Sequence, residues 1–565
     1  MTVRITTKTL ISSEKFVLVL CLVLVGLCYA NSLPNDFVGD DFPIVAANPA
    51  LRSINPFQFL RSSYWTEDQS AGIYRPLTIF SLSIDYALWH RWAPGFRLMN
   101  LLIHALNGWL LFLVARSLAG AGTIPIAAAV IYLVHPAHTE AVTTIVGRSE
   151  LLGVFFFLSA WLFFRRGQIG WTVALFLLSV LSKENAIVLP AVLALDVFLS
   201  NGCDLKKAAT AWKRLAAVGV AAIAYLGVRL AVLGALGVPA AMQYRGGTLS
   251  YVERWMTSGR VILRYVELVF APVDLVGDYD FNTIPIAHPG DWVAWLGILV
   301  IAAVLAIAWW FRRRDWVISM GLLFAITALI PASNWIMPIS ILMAERFLYL
   351  PMIGLALAGA VVFASIPFRY RTLIGGGCFT IAVVLCVAHN YIWRNEFSYY
   401  RNMVRVEPTN IKARIGYGFA LIQAGFKDEA TDQLQAGLQI LPNNPSVIST
   451  LALAKMTRTS CADAWPLLDR ALEISPNHGD TLRRIADCYL REGKIKEAEA
   501  AYRKALDYIP FPDSLFYLSW GLSLEDIGQK SDAIAAYERA VLIDPQNILI
   551  RNKLAALNSD RPQIQ

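Results

Sequence analysis

The 34 residues after Pro476, NHGDTLRRIADCYLREGKIKEAEAAYRKALDYIP, run from Asn477 to Pro510 and end on another proline in the same phase. Pro408, Pro442 and Pro476 are themselves 34 residues apart, and Pro545 follows Pro510 at 35. Counted back from these prolines, minus 12 holds Ala430, Ala464, Ala498 and Ala533, and minus 5 holds Gly437, Ala471, Ala505 and Ala540. Leu434, Leu468, Tyr502 and Tyr537 stand at minus 8. Small residues at two positions let paired helices approach, while the larger one fills the gap between units. Gly425, Gly493 and Gly528 occupy minus 17, at the turn between the helices of a unit, where the second unit has Thr459 instead. The spacing predicts four helix–turn–helix units. A half unit over 396–406 precedes them, and a capping helix follows Pro545 and ends near Asn558.

A 34-residue period is that of the tetratricopeptide repeat. Arrays of this kind bind other proteins more often than they catalyse, although repeat geometry names no ligand and leaves room for a structural or oligomerising role. The sequence before the array is of another kind. Of the 565 residues 56% are hydrophobic and 16% charged, with a mean hydropathy of +0.51, and the apolar excess lies before residue 392. A soluble protein of this length could not hide that much apolar surface, which leaves the membrane class. The expected organisation is all-α: a transmembrane domain over 1–392 and a repeat domain over 393–565.

Apolar segments run over 16–33, 98–117, 123–134, 150–164, 170–181, 186–200, 215–234, 259–273, 291–311, 316–331, 347–366 and 372–392. Basic residues gather before the first segment (Arg4, Lys8, Lys15) and in four loops: Arg165-Arg166, Lys206-Lys207 with Lys213-Arg214, Arg312 to Arg314, and Arg369 with Arg371. Cytoplasmic ends carry such clusters. All of them fall on that side if 259–273, which bears Arg260, Arg264 and Glu267, lies at the interface or re-enters rather than crosses. The expected count is then about eleven crossings. The N-terminus is inside and the repeats face a periplasm or lumen, with a bacterial inner membrane as the natural setting. A cleaved signal ending near Tyr29-Ala30 is the alternative for the first segment, but the apolar run continues to Leu33 without a clean small-residue site. Segments 123–134, 170–181 and 186–200 are shorter than the ~20 residues of a full crossing, a length tolerated beside a protein-lined cavity.

The net charge of +8 follows largely from that topology and calls for no nucleic acid. Cys21, Cys28, Cys378 and Cys386 lie in apolar stretches and read as small core residues. Cys461 and Cys488 lie in the repeats, within reach of a disulfide across one unit boundary.

The first outside loop, about 34–96, contains Phe37-Val38-Gly39-Asp40-Asp41-Phe42-Pro43. Two adjacent carboxylates just beyond a membrane helix suit a general base or a metal ligand, because burial and mutual repulsion raise one pKa toward the working range. A solvated turn ahead of Pro43 is the bland alternative. The loop also holds Tyr74-Arg75-Pro76-Leu77, followed by Asp85, Asn100 and His104. The next outside loop reads His135-Pro136-Ala137-His138-Thr139-Glu140, then Gly147-Arg148-Ser149-Glu150; Pro136 breaks helical spacing, so a polar cavity wall fits better than zinc. Lys183-Glu184 sits between two short apolar segments, and Glu345-Arg346 opens another helix. Ionisable residues at membrane depth are costly and point to function, with mutual ion pairing as the structural alternative. Arg75, Lys183 and Arg346 on the outer side would suit an anionic lipid phosphate.

These motifs occur in one order: Asp40-Asp41 with Asn48-Pro49; Tyr74 to Leu77; His135 to Val142 with Gly147 to Leu152; Ser182-Lys183-Glu184-Asn185; Glu345 to Pro351; and the repeats. Together they resemble the transmembrane and tetratricopeptide-repeat O-mannosyltransferases and their bacterial relatives, in the GT-C glycosyltransferase superfamily. The likeness covers nearly the whole chain. Two features depart from it. Arg97 stands where the family often has a His, with Asn100 and His104 kept, and four repeats are fewer than many relatives carry.

The resemblance implies a GT-C-type membrane bundle that moves a sugar, mannose or another hexose, from a polyprenyl-phosphate donor to Ser or Thr of an exported protein. It implies Asp40 and Asp41 as the catalytic pair, one of them the base. Arg346 and Lys183, then Arg75, would lie nearest the donor phosphate. Tyr74, His135, His138, Glu140, Arg148, Glu184 and Glu345 are expected to line the site. No cofactor is required by the residues, although a divalent cation would serve the same charge; the expected partners are the lipid-linked sugar, membrane lipids and an acceptor polypeptide held by the repeats. The competing readings are a non-enzymatic scaffold that assembles an envelope complex, and an enzyme acting on a lipid or polysaccharide. A transporter is disfavoured because no paired broken helices occur in matching halves.

Overall fold

The computed structural model describes residues 14–65, 72–234, 249–279, 283–336, 339, 341–456, 461–509, 512–545 and 547–559. Arg4, Lys8, Thr459 and Pro510 lie outside the described residues. Among those described the chain is helical, with one isolated bridge between Tyr279 and Met343. It divides into two compact units, Met1–Val38 with Leu51–Asn395, and Gly39–Ala50 with Glu396–Gln565.

In the first unit each apolar segment is a helix. Five helical stretches have the length and apolarity of a membrane span: Glu14–Ser32, Ala93–Ala119, Trp212–Leu233, Trp292–Phe311 and Phe368–Arg394. A sixth span forms if Pro136–Thr143 and Arg148–Arg165, bent by 107° at their junction, count as one. The remaining apolar helices, such as Thr123–Leu133, Ile169–Ser182 and Pro351–Ser365, are shorter. By length and composition five or six helices among the described residues are candidate spans, and the count of eleven needs the short helices as well. Tyr251–Phe270 passes no such test. It starts at a capping box between Ser250 and Glu253, and its Arg260 pairs with Asp291.

The bend in the sixth span frees backbone carbonyls that apolar surroundings cannot satisfy. Side chains of Ala93–Ala119 take them up: Arg97 Nε donates to Thr143 O (3.0 Å), and Asn100 Nδ2 to Thr144 O (2.8 Å). Small residues set the helix spacing elsewhere. A Cβ on Gly259 or Gly297 would strike the backbone of the other's helix, and Gly321 and Gly354 face each other in the same way. The first and last helices of the unit end together. Asn31 Nδ2 donates to Val387 O, Asn35 Nδ2 to Asn390 O, and Asp36 N to Arg394 O, each at 2.9 Å. Val38 and Asn395 thus leave this unit from neighbouring points.

The second unit is the repeat array. Its helix pairs are Ile411–Gln423 with Lys427–Ile440, Pro445–Lys455 with Trp465–Ile474, Gly479–Arg491 with Ile495–Leu506, and Ser514–Asp526 with Lys530–Ile543. Glu396–Val406 precedes them and Ile548–Ser559 closes the stack, as the spacing predicted. A polar residue caps the first helix of each pair: Asn410, Asn444, His478 and Asp513 each accept a backbone N–H from three residues on. The alanines at minus 12 and the Leu/Tyr residues at minus 8 are fully buried. Facing them is a second small position: a Cβ on Gly418 would meet Leu434, and one on Gly521 would lie 2.5 Å from the Tyr537 ring. Cys461 and Cys488 are joined in a disulfide, with their Cα atoms 5.6 Å apart. The bond fastens the second repeat to the third.

Candidate active site

The acidic pair lies in the second unit, on the loop Gly39–Ala50. Gly39 has φ +58°, a conformation that glycine adopts without strain, and turns the chain so that the two carboxylates differ. Asp40 is exposed, whereas Asp41 is fully buried at the start of the short helix Phe42–Ala46. Asn48 closes the loop: its Nδ2 donates to Ile44 O (3.1 Å) and its Oδ1 accepts from Ala50 N (3.0 Å). A third carboxylate joins them. Glu396 Oε1 accepts the Gly39 N–H at 2.9 Å, and burial, then the charge of Asp40, holds its carboxyl above the usual carboxylate range.

In the first unit the three expected cations come together. Each arrives with its own carboxylate. Arg75 Nε donates to Glu184 Oε2 at 2.8 Å, Lys183 Nζ lies 2.7 Å from Glu150, and Arg346 pairs with Glu140, which also accepts its backbone N–H at 2.7 Å. Lys183 is within electrostatic reach of both Arg75 and Arg346, so the three pairs form one network drawn from four sequence motifs. Aromatic rings wall it: Arg75 lies 5.0 Å from the Tyr64 ring, and Lys183 5.7 Å from that of Phe347. A fourth cation completes the network. Arg229, on the apolar helix Trp212–Leu233, acts electrostatically on Glu184 and donates to Gly72 O at 2.7 Å. An arginine in a spanning helix, four residues after Tyr225, is the signal that would have found it.

The other expected site residues hold the surrounding structure. Tyr74 is buried and donates its hydroxyl to Leu60 O at 2.9 Å. Arg148 is buried against Asp85 (2.6 Å) and the Phe96 carbonyl (3.0 Å). Glu345 accepts from Val276 N and from the Tyr279 hydroxyl (2.8 Å). His135 Nδ1 accepts from Ala137 N, leaving Nε2–H to donate to Val269 O at 3.0 Å. His138 is fully buried, its ring 4.8 Å from those of Tyr132 and Tyr349. Nearby, His104 Nδ1 and Asn107 Nδ2 share the Tyr349 hydroxyl. Arg97, where the resembled family often has a His, donates to the carbonyls of Asn35 and Asp36, just ahead of the acidic loop. Among the described residues no group of three His, Cys, Asp or Glu could hold a metal ion.

Comparison with known proteins gives the arrangement its relatives. A tetratricopeptide-repeat family matches residues 461–515, and a second of the same description matches 516–547. The chain is 26% identical to the protein O-mannosyl-transferase TMTC3 of Mus musculus over 93% of its own length and 63% of that protein. The TMTC3 of Homo sapiens matches at 26% over 95% and 65%, and the protein O-mannosyl-transferase F38B6.6 of Caenorhabditis elegans at 27% over 75% and 63%. The chain thus spans just under two thirds of the length of these curated relatives. Among solved structures, a thermophilic tetratricopeptide-repeat protein of Thermus thermophilus covers 31% of this chain and 95% of its own at 16% identity and a TM-score of 0.26, too low to carry an argument. The ordered motifs and the repeats thus occur together in a chain that is similar, along most of its length, to proteins named protein O-mannosyl-transferases.

Proposed function

We propose that the chain is a membrane glycosyltransferase that moves mannose or another hexose from a polyprenyl-phosphate carrier to Ser or Thr of an exported polypeptide. Residues 1–392 act as a GT-C-type membrane domain of eleven crossings with a cytoplasmic N-terminus. Residues 393–565 form the repeat domain, in a periplasm or lumen as at a bacterial inner membrane. The Cys461–Cys488 disulfide supports that side, since disulfides persist in oxidising compartments.

In this reading Asp40 or Asp41 takes the acceptor hydroxyl proton as its oxygen attacks the anomeric carbon. The bond from that carbon to the phosphate oxygen breaks with its electron pair going to the phosphate. Attack and departure occur on opposite faces, so configuration inverts. The phosphate gains negative charge as it leaves, and fixed cations stabilise that change more than they stabilise the intact donor. The observation that carries the reading is the network of Arg75, Lys183 and Arg346, three buried or half-buried cations from separate motifs. In this reading these cations stabilise the charge on the departing phosphate, and a divalent cation is the alternative carrier of the same charge.

Intact-mass analysis of exported proteins from cells with and without the gene tests the proposal. One hexose lost from defined Ser or Thr peptides is the expected result. An unchanged protein profile with an altered envelope lipid or polysaccharide would assign the activity to another acceptor.

A further inference from the structure

The repeat array carries a groove of about 570 Å³ whose lining runs from the first helix pair (Phe419) to the fourth (Ser519). Its apolar surface includes Ile422, Leu453 and Leu490. Its charges are unequal: Lys427, Arg483, Arg484 and Arg491 stand against two carboxylates, Asp487 and Asp513. Both carboxylates are already engaged. Asp513 accepts two N–H groups of Arg483 (3.0 and 2.9 Å) and caps the next helix through Phe516 N (2.7 Å). Asp487 accepts from Arg484 (3.3 Å) and from the Tyr502 hydroxyl (2.6 Å).

Lys427 and Arg483 keep donors to spare. Lys427 Nζ reaches a carbonyl, Met456 O, at 2.6 Å, where an ammonium offers three donors. Arg483 Nε is buried without a hydrogen-bond partner. Burial, together with the charge of Arg483 beside it, holds Arg484 below the ordinary arginine range, a cost that an incoming anion would relieve.

We infer that this groove binds an extended polypeptide segment in which acidic and apolar side chains alternate. The groove's lining mixes apolar and charged side chains from all four helix pairs, more surface than a lone phosphate would touch. An extended chain sends successive side chains to opposite faces, so alternate residues can meet the apolar surface while others meet the cations. The charge excess selects acidic over basic segments and speeds encounter. The inference rests on the groove alone and stands whether or not sugar transfer is the reaction.

Fluorescence anisotropy on the full-length protein in zwitterionic nanodiscs tests it, with a labelled eight-residue peptide alternating Asp and Leu. The Asp-Leu peptide is expected to bind at least tenfold tighter than its Asn-Leu counterpart, with affinity falling as salt rises. Arg484→Gln and Lys427→Gln should each weaken it at least fivefold, and Arg503→Gln, an exposed residue outside the groove, should leave it unchanged. Lys427 is exposed, so its variant decides the matter even if Arg484→Gln misfolds. Equal affinity for both peptides, or full affinity in Lys427→Gln, overturns the inference. So does displacement of the peptide by phosphatidylglycerol nanodiscs, which would assign the charge to a membrane surface.

Discussion

Glu396 shows how a single side chain ties a loop near the start of the chain to a helix that begins some 350 residues later, through one hydrogen bond to the Gly39 N–H. Its carboxyl is raised by burial and by Asp40, so the folded state takes up a proton more readily than the unfolded chain. Its stabilising contribution is therefore fully present below the unfolded value and lost as pH rises through the folded one. Glu396→Gln keeps an acceptor for Gly39 and removes the titration. Its melting temperature should fall less than that of the wild type between about pH 4 and about pH 7, and parallel curves would contradict this reading. Arg148 and Asp85 form the more deeply buried pair. Arg148→Met strands a carboxylate and should cost about 3–5 kcal/mol, whereas Arg148→Met with Asp85→Leu should recover most of it. Equal loss in both, by denaturant titration in detergent, would assign Arg148 a role beyond the pair. The sequence motifs announced Arg75, Lys183 and Arg346. They did not announce Glu396 and Arg229, because nothing local marks a helix-starting Glu or an isolated Arg as the partner of residues far along the chain.

Among the elements, the repeats were legible almost to the residue, because proline, glycine and small-residue positions recur with one period. The small position at Gly418 and Gly521 was not read, since it becomes visible only when Leu434 and Tyr537 are seen to fill the space. Gly521→Val drives a side chain into the Tyr537 ring, whose hydroxyl is held by Glu525 at 2.8 Å. It should cost about 1–3 kcal/mol, read as faster hydrogen exchange in Ser514–Asp526; unchanged exchange would count against the packing described. The Cys461–Cys488 bond closes a 27-residue separation. Replacing both cysteines by alanine should lower stability by about 2–4 kcal/mol, with the loss centred on Gly479–Arg491 by hydrogen exchange. The apolar helices were also legible, since each expected segment is one. Which of the short ones cross a membrane was not, because length and hydropathy do not separate a short span from a buried helix.

At the scale of the whole molecule, composition separated an apolar part from a polar array, but it gave no sign that Gly39–Ala50 groups with the array. That grouping comes from long-range bonds such as the one to Glu396, which no periodicity records. The acidic loop thus belongs to the unit that carries the repeats, and the cationic network belongs to the other. In the proposed reaction one of the loop's two carboxylates takes the acceptor proton. The decisive measurement is transfer of radiolabelled mannose from polyprenyl-phosphate mannose to a Ser/Thr peptide by the reconstituted full-length protein, comparing the wild type with Asp40→Asn plus Asp41→Asn. Loss of a general base predicts a fall of at least about a hundredfold, at unchanged membrane level and melting temperature. Wild-type transfer by the double variant would contradict the account.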